Sequence, residues 1–174
     1  IVTIDLEFAP FVPANITVAG PFCTEAGIQT LTASPSGGTW SGSVSSDQFD
    51  PALLGPGTHE VIYTTPAGPC QSADTIDIVV YELVISCLTI QDETAPLASD
   101  GQGQVTVSGG VPDYNVTWTG PVSGSVVLMA DGDFIISSLP PGIYTIEVTD
   151  ATGCTTTCQF TIASAIPCDL VIDE

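Results

Sequence analysis

Apolar and polar residues alternate along this chain in short, β-branched runs, and no stretch of a dozen residues carries the i, i+3, i+4, i+7 apolar spacing of a helix face. The runs at 16–18, 28–33, 59–64, 75–81, 104–108, 115–119, 134–137, 143–149 and 157–162 predict strands. Pro- and Gly-rich clusters at 35–38, 55–57, 108–110, 140–142 and 151–153 separate them as turns. Turn signals about every 8 to 12 residues are the rhythm of a β-sandwich, so the pattern predicts an all-β fold.

The order of parts repeats. A Gly-Gly turn precedes a tryptophan strand twice (Gly37, Gly38 and Trp40; Gly109, Gly110 and Trp118), and each time a turn after Leu54 or Leu139 feeds an alternating strand. This predicts two tandem immunoglobulin-like β-sandwich domains, at residues 1–81 and 82–166. Cys87, followed by Asp92 and Glu93, recurs as Cys168 followed by Asp173 and Glu174. Residues 167–174 therefore read as the first strand of a following repeat, and the chain as a slice of an array. Residues 77–90 contain neither Gly nor Pro. One domain's last strand is expected to run straight into the next domain's first, giving a stiff, rod-like array.

Composition removes whole classes of function. Among 174 residues there is no Lys or Arg against 20 Asp and Glu, a formal charge of −20. Without cations the chain has no means of neutralising nucleic-acid phosphates, and no basic patch for a membrane surface. Lysine and arginine chemistry is equally excluded. The apolar share of 44% is enough to build cores. No apolar run approaches the roughly 20 residues of a membrane helix, so no direct membrane insertion is expected.

Six cysteines beside a single histidine read as disulfides formed in an oxidising, extracellular setting rather than as zinc ligands. In the first domain Cys23, Trp40 and Cys70 follow the Cys, Trp, Cys order of an immunoglobulin-like sandwich, which predicts a Cys23–Cys70 bond under a core Trp40. In the second, Cys87, Cys154, Cys158 and Cys168 permit three pairings. A first strand lying alongside the last brings Cys87 to Cys154 or Cys158, with Cys158 preferred. The partner of Cys168 is expected outside this chain.

Catalytic signals are weak. His59 stands beside Glu60 in an alternating run, with no Gly-x-Ser-x-Gly elbow to supply a nucleophile. No pair of acids stands out as a glycosidase pair, so an enzyme is not expected. Calcium is the one cofactor weighed, with Asp92, Glu93, Asp131 and Asp133 as candidate oxygen ligands and diffuse counterion screening as the alternative. Asn15 and Asn115 open Asn-x-Thr sequons, and Thr75 follows Asp74 in a candidate O-glycosylation triplet. Tyr144, after Pro140, Pro141 and Gly142, occupies the place of a corner tyrosine. Trp40, Tyr114 and Trp118 are the candidate sugar-stacking residues.

Two stretches resemble known repeats. Ser108-Gly-Gly-Val-Pro-Asp-Tyr-Asn-Val-Thr-Trp118, with Leu139-Pro-Pro-Gly-Ile-Tyr-Thr-Ile-Glu-Val-Thr-Asp-Ala-Thr-Gly-Cys154, resembles the repeat of SprB-type gliding-motility adhesins, giant bacterial surface proteins exported by the type IX system. Leu31-Thr-Ala-Ser-Pro-Ser-Gly-Gly-Thr-Trp-Ser-Gly42, with Phe49-Asp-Pro51 and Gly57-Thr-His-Glu-Val-Ile-Tyr63, is similar to the immunoglobulin-like repeats that accompany them. The resemblance implies a non-enzymatic repeat of an extracellular adhesin or filament, whose partners are neighbouring repeats and surface glycans. Residues 95–103 lack the early cysteine of such repeats. Two other readings stand beside it: a subunit that polymerises by strand donation, and a carbohydrate-binding module.

Overall fold

The computed structural model describes residues 11–17, 20–68 and 70–165. Cys168 and the strand expected at 167–174 lie outside the described residues. The fold is almost entirely β, and the chain divides into two compact units, Ile1–Val80 and Tyr81–Glu174. That boundary lies one residue from the one expected at 81/82.

In the first unit, β2 (Phe22–Cys23), β8 (Ala73–Tyr81), β7 (Gly57–Thr64) and β5 (Thr39–Gly42) form a four-stranded sheet in the order β2-β8-β7-β5. Among the described residues two short ladders accompany it, β1 (Asn15–Ile16) with β4 (Ala33–Ser34) and β3 (Gln29–Thr30) with β6 (Gln48–Phe49). The core is Ile16, Leu31, Phe49, Val61, Tyr63, Ile78 and Val80. Alternation on β7 and β8 places Val61, Tyr63, Ile78 and Val80 on the buried face, as a period of two requires. One helical turn, α1 (Pro51–Leu54), departs from the all-strand expectation: the Asp50 carboxylate accepts from the Ala52 and Leu53 amides, and Pro51 presets the first helical φ.

The second unit is two antiparallel sheets packed face to face. One has the order β13-β10-β9, built from β9 (Leu83–Gln91), β10 (Gly101–Gly109) and β13 (Gly132–Leu139). The other has the order β12-β11-β14-β15, from β11 (Tyr114–Thr119), β12 (Gly124–Leu128), β14 (Gly142–Thr149) and β15 (Thr155–Ile162). Between them lie Val105, Val107, Ile136 and Leu139 from one sheet and Tyr114, Val116, Tyr144, Ile146, Val148, Phe160 and Ile162 from the other. Only Glu82 separates β8 from β9, so the strand-to-strand passage expected at 77–90 is broken by a single residue.

The expected Cys87–Cys158 bond forms, with Cα atoms 5.8 Å apart. It ties β9 of one sheet to β15 of the other. Thr89 Oγ1 donates to Thr161 O (2.8 Å) and the Glu93 amide to Ala163 O (3.1 Å), so contacts advance in step and the two strands run in the same direction. A cross-link spanning 71 residues restricts the unfolded chain by about 4 kcal/mol on the loop-entropy model.

The other expected pairing does not form. Cys70 is a free, exposed thiol, although Cys23 is disulfide-bonded, as is Cys154. Cys70 lies in the turn before β8. Cys23 lies on β2, whose approach at Gly20 meets Ile78, in the far half of β8. A disulfide needs Cα atoms within about 7 Å, and the linear order Cys, Trp, Cys does not supply that proximity. Trp40 accordingly packs on Tyr63, ring centroids 4.8 Å apart.

Two glycines set how closely the sheets of the second unit approach. Gly103 lies on β10 directly under Phe160 of β15, where a Cβ would stand 2.2 Å from the ring, and Gly101 stands likewise under Ile162. We expect Gly103→Ala to force Phe160 off its position and cost about 1–3 kcal/mol, read as faster amide hydrogen exchange in β10 and β15 than in the first unit.

Candidate functional site

The polar side chains of the second unit gather where loops meet, and the busiest is Asp150. It closes the turn between β14 and β15 and is 5% exposed. Its Oδ1 accepts from the Thr152 amide (2.8 Å), the Thr152 hydroxyl (2.7 Å) and the Cys154 amide (2.9 Å). Its Oδ2 accepts from the Val111 amide (2.9 Å), 39 residues away. The Ala151 amide returns a bond to Val111 O, locking two loops together. Gly110, at φ +64°, passes so close that a Cβ would stand 2.6 Å from Oδ2. Burial alone would raise the Asp150 carboxyl, but the hydrogen bonds from Thr152, Val111 and Cys154 outweigh it and hold it below the usual carboxylate value.

Three buried tyrosine rings present their hydroxyls to loop backbone. Tyr144 donates to Pro140 O at 2.9 Å and stacks on Phe160, which is the expected corner tyrosine, and its phenol is raised by burial. Tyr114 contacts Gly109 O (2.7 Å) and the Asp131 carboxylate through its hydroxyl; burial first, then the bond to Asp131, pushes its phenol far above the ordinary value. In the first unit Tyr63 donates to Pro35 O and accepts from the Gly38 amide (2.7 Å). Each hydroxyl fixes a Pro- or Gly-rich loop.

A third tie lies between the β9–β10 loop and the segment after β15. Glu93, 6% exposed, accepts from the Ser99 amide (3.2 Å), the Ser164 hydroxyl (3.3 Å) and the Ala165 amide (3.3 Å). Asp92 accepts from the Ala163 amide at 2.7 Å. Asp100 accepts from the Thr94 hydroxyl and amide, and those two bonds hold its carboxyl below the usual value.

These bonds decide several candidate sites. Asp92, Glu93, Asp131 and Asp133 do not converge as calcium ligands: each is taken by protein donors, Asp133 by the Thr106 hydroxyl at 2.7 Å. Among the described residues no three His, Cys, Asp or Glu side chains could hold one metal ion. Tyr114 is fully buried and has no ring face for a sugar, which corrects its place among the stacking candidates. Trp40 and Trp118 are half-buried and packed on the cores of different units; Trp118 meets Phe134, centroids 6.2 Å apart. Asn15, Thr75 and Asn115 are all exposed on strands, each accessible to a modifying enzyme.

His59 shares Nε2 with Gly55 O (2.9 Å) and sets its ring edge-on to Phe49, an anchoring role for the turn after α1. Beside it, Val44, Gln48, Leu53 and Leu54 line a shallow cleft of about 260 Å³. This falls below the roughly 300 Å³ at which small-molecule sites begin. Its one carboxylate, Asp50, is occupied in capping α1.

Disulfide linkage fits an oxidising, extracellular setting, and among the described residues no helix is long and apolar enough to cross a membrane. No family model matches the chain, and no curated protein matches it.

Asp150 gives the loop node a defined pH response. Because its folded carboxyl lies below the unfolded value of about 3.9, its contribution is complete above that value and is lost as pH falls through the lower, folded one. Asp150→Asn is expected to cost the second unit about 1–3 kcal/mol at neutral pH and to flatten its acid unfolding below about pH 4. Urea unfolding followed by hydrogen exchange of the β14–β15 turn checks both.

Proposed function

We propose that this chain is a non-catalytic, load-bearing repeat segment of a long extracellular bacterial surface adhesin or filament, of the SprB-type gliding-motility class. The observation that carries the reading is the use to which reactive side chains are put. Tyr63, Tyr114, Tyr144, Asp150, Glu93 and His59 all serve as ties between loops and strands. A covalent bond joins the two sheets of the second unit along their shared edge. Two units with a single residue between β8 and β9 suit an immunoglobulin-like array that transmits tension rather than one that encloses a substrate. Freedom from Lys and Arg removes every trypsin-type cleavage site, an advantage for an exposed appendage. Its partners are then neighbouring repeats of the same polymer, with surface glycans as the adhesive target, and Asn15, Thr75 and Asn115 are open to glycosylation.

Single-molecule stretching of the full chain tests the mechanical part. With Cys87–Cys158 intact, 71 residues are withheld from extension, so reduction should lengthen the second unit's unfolding step by roughly 250 Å at about 3.5 Å per residue. Antibodies raised against the folded chain should label intact cells of the source. Labelling only after lysis, or unfolding of the oxidised second unit at forces no higher than those of the reduced one, would sink the reading.

A further inference from the structure

Of the four edge strands described in the second unit, three are guarded. β9 and β15 close on each other through Cys87–Cys158 and the Thr89 to Thr161 bond. β13 carries Asp133 as its second residue, with Asp131 just ahead of the strand, and is kinked near its far end by Ser138 at φ +61°. β12 differs. Its one ladder partner is β11, leaving the opposite backbone edge unpaired among the described residues.

Natural edges are usually protected by charge, proline or a bulge. β12 reads Gly-Ser-Val-Val-Leu, with no proline, and it pairs β11 in unbroken register from Tyr114↔Leu128 to Trp118↔Gly124. No charged residue stands between Asp113 and Asp131. Ser125 and Val127 face solvent, Val127 being 51% exposed, while Val126 packs inward on the core.

We propose that two copies of this chain pair edge to edge through β12, antiparallel about a two-fold axis at Val126, joining their four-stranded sheets into one of eight strands. The occupant follows from charge. A cationic partner would be drawn to the carboxylates, which β12 lacks. A second copy carries −20 and meets the least repulsion along a carboxylate-free stretch such as this one. Two-fold pairing sets Ser125 against Val127 of the other copy, a small residue against a β-branched one, so the edge is complementary to itself. The inference stands independently of the proposed role in adhesion.

The test is sedimentation velocity of the full chain carrying Cys70→Ser, which prevents disulfide-linked dimers through the exposed thiol. Dimer is expected to increase from about 0.1 to about 1 M NaCl as screening shortens the Debye length from about 10 to about 3 Å. Val127→Asp should weaken the dimer at least about tenfold with the circular dichroism unchanged, since it sets new carboxylates close to the two-fold axis. Leu88→Asp, on the exposed face of β9, should leave it intact. Amides of β12 should gain exchange protection on dimerisation. A monomer at about 1 M salt overturns the proposal, as does a dimer indifferent to Val127→Asp or one abolished by Leu88→Asp.

Discussion

A protein with 20 carboxylates and no lysine or arginine has no strong cation to place beside a buried acid. Taking a carboxylate out of water costs several kcal/mol. Here that cost has to be met by neutral N–H and O–H donors. Asp150 gathers four such bonds and Glu93 three. Hydrogen bonds to a charged group contribute about 1.5–3 kcal/mol each, so sets of this size can offset the desolvation. The consequence is architectural: a buried acid is tenable only where several amides converge, and in this chain such places are loop junctions. The acids therefore became the fasteners of the loops.

The same shortage of charge shifts other work onto hydroxyls and sheet packing. Tyr63, Tyr114 and Tyr144 each bury a ring in a core and extend a hydroxyl to loop backbone, combining apolar burial with one directional bond. Sheet separation in the second unit is fixed at β10 by Gly101 and Gly103, which admit Ile162 and Phe160. On that side the sandwich is then closed covalently through Cys87 and Cys158. Among the described residues its other side shows no such closure between the sheets, and there β12 lies open.

Long strands were legible because a period of two in β-branched residues survives any tertiary context: β7, β8, β10, β14 and β15 all contain the runs that predicted them. The two-residue ladders β1–β4 and β3–β6 were not, since two residues carry no period. Strand β12 escaped because a run beginning Ser-Gly-Ser looks like a turn. The helical turn α1 did have a signal, Asp50 before Pro51, outweighed by the surrounding strand pattern. Tyr144 could be placed because its acceptor, Pro140, is local. Asp150 and Glu93 could be seen only as acids, because donors at Val111 and Ala165 lie 39 and 72 residues away. The Cys23–Cys70 expectation failed for a related reason: spacing along a chain says how long a loop is, and only the fold says whether its ends meet.

Ionic strength acts on two levels of this molecule in different ways. The ties that hold each unit are short bonds from neutral donors to buried or half-buried oxygens, which salt screens little. Repulsion between whole chains is long-ranged and carried by exposed carboxylates, which salt screens strongly. The bonds inside a unit and the contact between copies therefore answer to salt differently. A chain with opposite charges paired across its surface could not separate them so cleanly, because the salt that released one contact would loosen others. In a chain without cations, added salt leaves the interior bonds nearly as they were and screens the exposed carboxylates from one another, within a chain and between copies alike. What a copy then meets is whatever surface carries no carboxylate, and along β12 that surface is bare backbone with the spacing of a sheet.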